Sequence, residues 1–319
     1  MLETSLYNSL SIVIPTYNRE NLLSRVLEGY LAQSQAHSIH ELLVVDDGST
    51  DATEAMVGQF IRRSPFPIRY LRQPNKGPAA ARNFGIREAK SGIVLFTDSD
   101  VVPARDLVAQ HLDWHRRNPG TAAAVLGYVT WPAEIKATPF MRWYGEAGAL
   151  FGYRLLQGKR EINDFHFFYT CNLSLKTEFL RSCGLFDEEF NSAAYEDTEL
   201  GYRLSKQGLQ LLYNPLAIGY HHQFFSFGDA CRKRRANAPA KQLFLRKEAG
   251  QHVPLPKRRF PTIRLAGKRT LIKIIKILSP SMRLLDSSFP LPGIIYGLLL
   301  DHDTTVAPAS SKSTTGAQR

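Results

Sequence analysis

The sequence predicts an α/β protein with a mainly parallel sheet that is covered by helices on both faces. Apolar runs alternate with helical patterns through the first 130 residues of the 319-residue chain. Each run is continuously apolar, which is typical of strands that are buried on both faces. Three of the first four runs end in polar turn residues, PTYNRE, DDGST and TDSD. Polar clusters at strand ends are expected where an open parallel sheet binds its ligand.

The first three strands are each followed by a helix. LSIVIPTYN, residues 10–18, ends in turn residues, and a helical pattern follows from Leu22. ELLVVDDGST, residues 41–50, is the second strand, and its Ser and Thr are placed to cap the next helix. IRYLRQ is the third strand, and GPAAARNFGIREAK, from Gly77, is the third helix.

The pattern continues to residue 130 and then changes. GIVLFTDSD is the fourth strand, a helix follows over residues 106–117, and AAAVLGYVT is the fifth strand. From Trp131 onward aromatic residues become dense. YEDTELGYRLSKQG predicts a helix that ends at Gly208, and LQLLYNP predicts a short strand. A basic helical extension is expected over residues 231–303, and a disordered Ser/Thr-rich tail over 304–319.

The charge of the chain is concentrated in the C-terminal extension. The net charge is +11, but residues 232–276 contain fifteen Lys or Arg against the single acid Glu248. The remainder of the chain is therefore slightly acidic, so basicity belongs to one segment. Three cysteines without metal-type spacing, no signal-peptide pattern and no run of roughly 18 apolar residues predict a reduced, cytoplasmic protein.

Four carboxylates are expected at one edge of the sheet. Asp46 and Asp47 follow the second strand, and Asp98 and Asp100 follow the fourth in FTDSDVVP. Neighbouring carboxylates repel one another, and a hard divalent cation such as Mg²⁺ or Mn²⁺ would offset that cost. An ordinary solvated turn is the alternative. No GxGxxG and no GxxxxGK[ST] occurs, so the motifs of dinucleotide-binding and P-loop proteins are missing.

The chain resembles a family 2 glycosyltransferase of the GT-A fold. The matching pieces are SIVIPTYNRE, LLVVDDGSTD, NKGPAAARNFGI, VLFTDSD, NLSLKTEFLRSCGLFDEEF and YEDTELGYRL, and they span residues 10–222, about two thirds of the chain. The resemblance implies a catalytic domain over residues 1–230, with a nucleotide-sugar half at about 8–130 and an acceptor half at about 131–230. It also implies a nucleotide-sugar donor, a divalent metal and an inverting transfer.

The resemblance also implies a role for each site residue. Asp197 would be the general base, with the adjacent Glu196 as the competing candidate and otherwise a substrate-binding residue. The two side chains would point about 100° apart on a helix, so only one can face the acceptor. An acidic first turn that stabilises the helix dipole is the other interpretation. Metal ligands would be Asp98, Asp100 and His221, although His221 and His222 are also typical edge-strand histidines. Donor-binding residues would be Pro15, Thr16, Tyr17, Asp47, Arg82, Asp98 and Ser99.

Within the family pattern, Asp47 would accept a hydrogen bond from a uracil ring, and Arg82 would hold the base or the diphosphate. The chain has no QxxRW motif after the Glu-Asp pair, which favours transfer of a single sugar over processive synthesis. Tyr195 stands where Gly is frequent before that pair, and Cys171 precedes Asn172 where a small residue is common. Both differences border the acceptor side of the site.

The expected partners are a nucleotide sugar, a hydroxyl acceptor that is lipid-linked, and an anionic membrane surface. The apolar runs LIKIIKIL and FPLPGIIYGLLL follow the basic stretch and predict an interfacial helix at the inner face of the membrane. Nucleic acid is not expected, because the carboxylate cluster would repel it. A sugar-phosphate nucleotidyltransferase and a non-catalytic membrane-binding protein are the alternative functions.

Overall fold

The computed structural model describes residues 7–146, 151–252, 293, 295–297 and 300. Within them the strands are β1 Leu10–Thr16, β2 Ile39–Asp46, β3 Ile68–Arg72, β4 Ile93–Thr97, β5 Val101–Pro103, β6 Ala123–Thr130, β7 Glu161–Ile162, β8 Asn172–Lys176 and β9 Gln210–His221. The helices are α1 Glu20–Leu31, α2 Thr53–Arg63, α3 Pro78–Glu88, α4 Leu107–Arg117, α5 Pro139–Glu146, α6 Thr177–Ser182, α7 Glu196–Lys206, α8 Phe227–Ala236, α9 Ala238–Arg246 and α10 Glu248–His252.

The strands form one sheet in the order β3-β2-β1-β4-β8-β6-β9-β5, and β7 pairs with β9. The four strands from β3 to β4 are parallel to one another, as the strand–helix alternation predicts. β8 runs antiparallel to both β4 and β6, so it joins these four strands to the parallel pair β6 and β9. The predicted α/β class, with helices over a sheet and a C-terminal helical extension, is confirmed.

Helices cover both faces of the sheet because its strands are apolar on both sides. In β1, Ile12 and Ile14 pack with α1, α2 and α4, whereas Val13 points to the face that carries α3 and α6. The α3 helix lies close to the sheet at Gly85, where a Cβ atom would meet Val13 at 2.4 Å. This close approach brings the start of α3 to the carboxyl edge of the sheet.

Some local predictions need correction. The second helix is not capped by Ser49 or Thr50: it begins at Thr53, whose amide and hydroxyl donate to the side chain of Asp51. Ser49 instead accepts from the amide of Asn18, which links the first two loops. The strand expected at LQLLYNP is the first half of the twelve-residue β9, which continues through a bulge.

The start of the C-terminal extension packs on the catalytic half. α8 spans the predicted boundary at residue 230, and α9 buries Phe244 against α7 and the loop before it. The apolar runs that begin at Leu271 and the tail 304–319 lie outside the described residues, apart from a few positions between 293 and 300. In the described ranges no helix has the length and hydropathy needed to cross a bilayer. The domain boundaries stay a prediction.

Candidate active site

A cleft of about 490 Å³ opens at the edge of the sheet where β1, β2 and β4 end. The β1 end contributes three residues that the sequence singles out, Pro15, Thr16 and Tyr17. The remaining lining residues are Arg19, Asp47, Asn75, Gly77, Pro78, Ala81, Arg82, Asp98, Ser99, Asp100, Trp131, Asn191, Ser192, Ala193, His221, Gln223, Phe225 and Lys233. The residues after three parallel strands therefore meet in one cleft, as the sequence predicts.

Asp47 organises the loop at one side of the cleft. Its two carboxylate oxygens accept from the amides of Lys76 and Gly77, each at 2.8 Å, and from the side chain of Gln73 at 2.7 Å. Gly77 has φ +90°, and a Cβ atom there would lie 2.6 Å from the carbonyl oxygen of Asn191. A carboxylate offers about four acceptor positions, so Asp47 keeps capacity for one further donor.

Asp46 does not join the cleft, which corrects the expectation of four converging carboxylates. It is fully buried, with one oxygen accepting from the amide of Ser49 at 2.8 Å and the other from the hydroxyl of Tyr70. Successive side chains alternate across a strand, so Asp46 and Asp47 point to opposite sides. Asp46 therefore shapes the turn, and Asp47 faces the cleft.

Arg82 connects Asp98, which follows β4, with Glu196, the first residue of α7. Its guanidinium donates to Glu196 Oε1 at 2.8 Å and to Asp98 Oδ1 at 3.1 Å. The side chains of Arg82 and Glu196 are each 4% exposed, whereas that of Asp98 is 37% exposed. The pair with Glu196 is therefore buried behind the cleft, and Asp98 extends from it toward solvent.

Asp100 lies between two cationic or ionisable side chains. Its carboxylate is 3.6 Å from the guanidinium of Arg19 and 3.8 Å from Nε2 of His221. The His221 ring stacks on Trp131, with ring centroids 5.7 Å apart. The β5–β9 pairing places Val101 opposite His221, and this pairing brings the end of β9 to the turn after β4.

The acids of α7 have unusual electrostatics. Burial, reinforced by the charge of Asp197, raises the pKa of Glu196 above its ordinary value, and the Arg82 charge opposes that rise. Burial also raises the pKa of Asp197, whose Oδ1 accepts from the amide of Thr198 at 2.7 Å. Acids with raised pKa values next to a cleft are typical of functional sites, although structural ion pairs shift pKa values too.

Several buried polar atoms at or behind this cleft have no hydrogen-bond partner. In the described part of the chain, buried side-chain atoms without a hydrogen-bond partner include Thr16 Oγ1, Arg82 Nε, Trp131 Nε1, Glu196 Oε2 and His221 Nδ1. Buried polar groups are normally paired, and an unpaired group costs about 1–3 kcal/mol. Those that line the cleft, on Thr16, Arg82, Trp131 and His221, are free to bind a polar ligand.

Glu196 and Asp197 do not line the cleft, although every other predicted site residue does. Glu196 reaches it only through Arg82, and Asp197 acts on Asp98 and Arg82 through its charge. Among the lining residues, the sequence did not single out Arg19, Trp131 or Lys233 as site residues. The sequence signal for Arg19 was its place in PTYNRE, next to the residues that were chosen.

The donor set fits a hard divalent cation. Asp98 and Asp100 offer carboxylate oxygens at one rim, and His221 adds an imidazole. Among the described residues no group of three or more His, Cys, Asp or Glu side chains is gathered closely enough to hold a metal by itself. Mg²⁺ is commonly bound by one or two carboxylates together with substrate phosphates, so two aspartates suffice as the protein's share of such a site.

Residues 11–182 match the family model described as glycosyl transferase family 2. The chain belongs to this family. A validoxylamine A glucosyltransferase from Streptomyces hygroscopicus subsp. limoneus is 34% identical over 224 residues, which cover 63% of this chain and 49% of that protein. A hyaluronan synthase from Pasteurella multocida is 28% identical over 272 residues, 77% of this chain and 26% of that protein. The family 2 chain thus spans about half or less of the length of these two relatives.

Solved structures show the same fold. A mannosyltransferase from Pyrobaculum calidifontis, in complex with GDP-Man and Mn²⁺, superposes with a TM-score of 0.56 at 18% identity, over 93% of this chain and 87% of that chain. Residues 1–349 of S. aureus TarS, in complex with UDP-GlcNAc, superpose with a TM-score of 0.53 at 19% identity, over 75% of this chain and 67% of that chain. These likenesses confirm the predicted fold, and the match of residues 11–182 to the family model confirms the predicted family.

Proposed function

We propose that the protein is a metal-dependent inverting glycosyltransferase that moves a single sugar from a UDP-sugar to a hydroxyl acceptor. The observation that carries this proposal is the cleft in which Asp47, Arg82, Asp98 and Asp100 converge beyond the strand ends of a family 2 fold. The TarS structure contains UDP-GlcNAc, and the mannosyltransferase structure contains GDP-Man and Mn²⁺, which supports a nucleotide-sugar donor here.

The nucleoside would lie between the β1 end and the Asp47 loop. Tyr17 is 47% exposed at the cleft, so its ring offers a stacking surface. Thr16 Oγ1 and the remaining acceptor position of Asp47 can bind the ring's polar edge. Pro15 and Ser99 complete this wall.

The diphosphate would lie over Asp98, Asp100 and Arg82. A divalent cation held by the two aspartates, with His221 as a further ligand, would neutralise the negative charge of the leaving diphosphate. Arg82 is kept protonated by the charges of Glu196 and Asp98, so it adds a fixed positive charge behind the same phosphates. Arg19 and Lys233, both lining the cleft, are further cations within this wall.

Asp197 is proposed as the general base. An inverting transfer is a single displacement, so one carboxylate must accept the proton of the attacking hydroxyl. Glu196 is engaged by Arg82, whereas Asp197 bonds only to its neighbour Thr198 among the contacts of the described residues. This difference favours Asp197 as the base and gives Glu196 the task of orienting Arg82.

The acceptor is proposed to be lipid-linked, in glycolipid or surface polysaccharide biosynthesis, and presented at the inner face of the membrane. Trp131 and Phe225 line the cleft on the side that the sequence assigns to the acceptor, and α8 adds basic residues next to it. Aromatic rings pack against sugar faces, and basic residues attract anionic headgroups. Both features support an acceptor that arrives at a membrane surface.

The direct test is release of nucleoside diphosphate from a panel of UDP- and GDP-sugars, with and without EDTA. We expect one UDP-sugar to be hydrolysed or transferred in Mg²⁺ or Mn²⁺, and activity to be lost in EDTA and restored by either cation. Full activity in EDTA would refute the metal-dependent assignment, and activity with GDP-sugars alone would refute the choice of UDP.

A further inference from the structure

Tyr195 adopts a backbone conformation that residues other than glycine rarely take. Its φ is +69°, and in the described ranges only Asn18 shares a positive φ among the non-glycine residues. In this left-handed region Cβ approaches the following carbonyl, which strains an aromatic residue more than it strains Asn. A strained conformation persists only where the surroundings hold it.

Tyr195 stands directly before the acids of α7. It is the N-cap residue of that helix, and its carbonyl accepts the amide of Glu199 at 2.9 Å. The next residue is Glu196, whose carboxylate binds Arg82, and Asp197 follows. The backbone conformation of Tyr195 therefore sets the direction in which α7 starts and in which both acids leave it.

The ring of Tyr195 is held by the C-terminal extension. Its centroid lies 5.3 Å from that of Phe244 on α9, and Phe244 is fully buried. Phe190 and Tyr202 complete the same apolar cluster from the loop before α7 and from α7 itself.

Lys247, just before α10, and Glu248, its first residue, form polar contacts with residues on both sides of Tyr195. Lys247 pairs with Asp187 at 2.7 Å and with Glu189 at 2.6 Å, upstream of the loop that contributes Asn191 to the cleft. Downstream, the hydroxyl of Tyr202 donates to Glu248 at 2.9 Å. The extension therefore fastens the chain on either side of the strained residue.

We propose that Phe244 is a positioning residue, which holds Tyr195 in the left-handed conformation and thereby directs Glu196 toward Arg82 and Asp197 toward the acceptor. The proposal rests on the transferase function proposed above. Phe244 lies beyond residues 11–182, the part that matches the family model, so this role belongs to the extension. The extension thus contributes to catalysis in addition to the membrane binding proposed for it.

The test is a double-mutant cycle between Phe244→Ala and Tyr195→Gly in the full chain. Glycine reaches φ +69° without the Cβ clash, so it needs no support from Phe244. In the Tyr195 background we expect Phe244→Ala to lower kcat by ~10- to 100-fold, as misplaced catalytic groups do, with the Kd for nucleoside diphosphate unchanged. In the Tyr195→Gly background the same change should lower kcat by less than about threefold.

Phe60→Ala is the matched control, because it removes an equally buried ring from α2, in the cluster on the other face of the sheet. It should lower the melting temperature and leave kcat unchanged. If Phe244→Ala does not fold, Phe244→Leu replaces it, since Leu fills the space but lacks the ring. An equal loss of kcat in both backgrounds, or no loss in either, would overturn the proposal.

Hydrogen exchange gives a readout that does not depend on catalysis. The amide of Glu199 bonds to the carbonyl of Tyr195, so its exchange reports the first turn of α7. Phe244→Ala should accelerate that exchange in the Tyr195 background and not after Tyr195→Gly. This pattern in a protein that releases no nucleoside diphosphate would keep the positioning role and reject the proposed transferase function. Unchanged exchange in an active enzyme would reject the positioning role alone.

Discussion

Replacing Arg82 with methionine should destabilise the protein by up to about 3–5 kcal/mol above neutral pH, where it leaves a buried carboxylate without its cation. The affected partner is Glu196, which is 4% exposed and lies 2.8 Å from the guanidinium. Asp98 is 37% exposed, so water can replace most of its lost interaction with Arg82. The expected destabilisation therefore comes from Glu196. Methionine keeps the length and apolar packing of the arginine stem.

The destabilisation should depend on pH. Burial already raises the pKa of Glu196, and the opposing Arg82 charge is lost in the variant, so the pKa rises further. A carboxyl with a raised folded pKa contributes stability below its unfolded pKa, about 4.3, and that contribution is lost as pH rises through the folded pKa. In the wild type the folded pKa of Glu196 is already about 7, so both proteins lose this contribution alike up to that pH. The deficit of the Arg82→Met variant should therefore grow as the pH rises above about 7.

Urea denaturation followed by circular dichroism at several pH values measures this deficit. Adding Glu196→Gln to Arg82→Met should recover at least half of it, since no buried charge then remains. Arg87→Met, which removes the 54% exposed arginine of the same helix, should change stability by less than about 1 kcal/mol. An Arg82→Met protein as stable as the wild type, or a deficit independent of pH, would refute the reasoning.

Three further outcomes are expected. Asp100→Ala should abolish transfer and Asp98→Ala should reduce it heavily even in excess Mn²⁺, because both offer oxygens to the cation; unchanged kcat in either would contradict that role. Asp197→Asn should lower kcat by about 10² to 10⁴ with nucleoside diphosphate binding intact. If Glu196→Gln shows that pattern and Asp197→Asn stays active, the base is Glu196. Neutralising the three basic residues 257–259 should weaken sedimentation with anionic vesicles and leave that with neutral vesicles unchanged.

The parallel half of the fold was predictable because its signals are local. β1, β2 and β4 are largely apolar runs followed by polar turns, and the helices after β1, β2 and β3 each begin within about seven residues of the strand end. Glu199 and Arg203 have i,i+4 spacing on α7, and they form an ion pair in which the guanidinium donates to both carboxylate oxygens. Spacing along one element carries this information directly.

The antiparallel half and the walls of the cleft were less predictable because they depend on distant contacts. Nothing local shows that β8 inserts between β4 and β6, or that β9 continues past Pro215 to bring His221 beside Asp100. Lys233 enters the cleft because α8 folds back against the aromatic cluster around Phe140. A count of basic residues in the sequence cannot separate such a lysine from those that face solvent.

Part of the basic charge of the extension is neutralised by ion pairs within the protein. Arg232 pairs with Asp229, and Lys247 pairs with Asp187 and Glu189, so part of the basic excess is used within the protein. Truncation after Ala230 would remove Phe244 and Lys247, and it would confuse lost vesicle binding with lost support of α7.

Neutralising residues 257–259 in the full chain separates vesicle binding from support of α7. These positions follow α10 in the sequence, so Phe244 and Lys247 are both kept. At ~1 kcal/mol per basic residue near an anionic surface, three charges correspond to about 100-fold weaker partitioning. The matched control neutralises Arg62, Arg116 and Arg117, three exposed arginines on α2 and α4, and should partition like the wild type. Equal loss in both triple variants would indicate a general charge effect, and no loss in either would refute an electrostatic anchor in this segment.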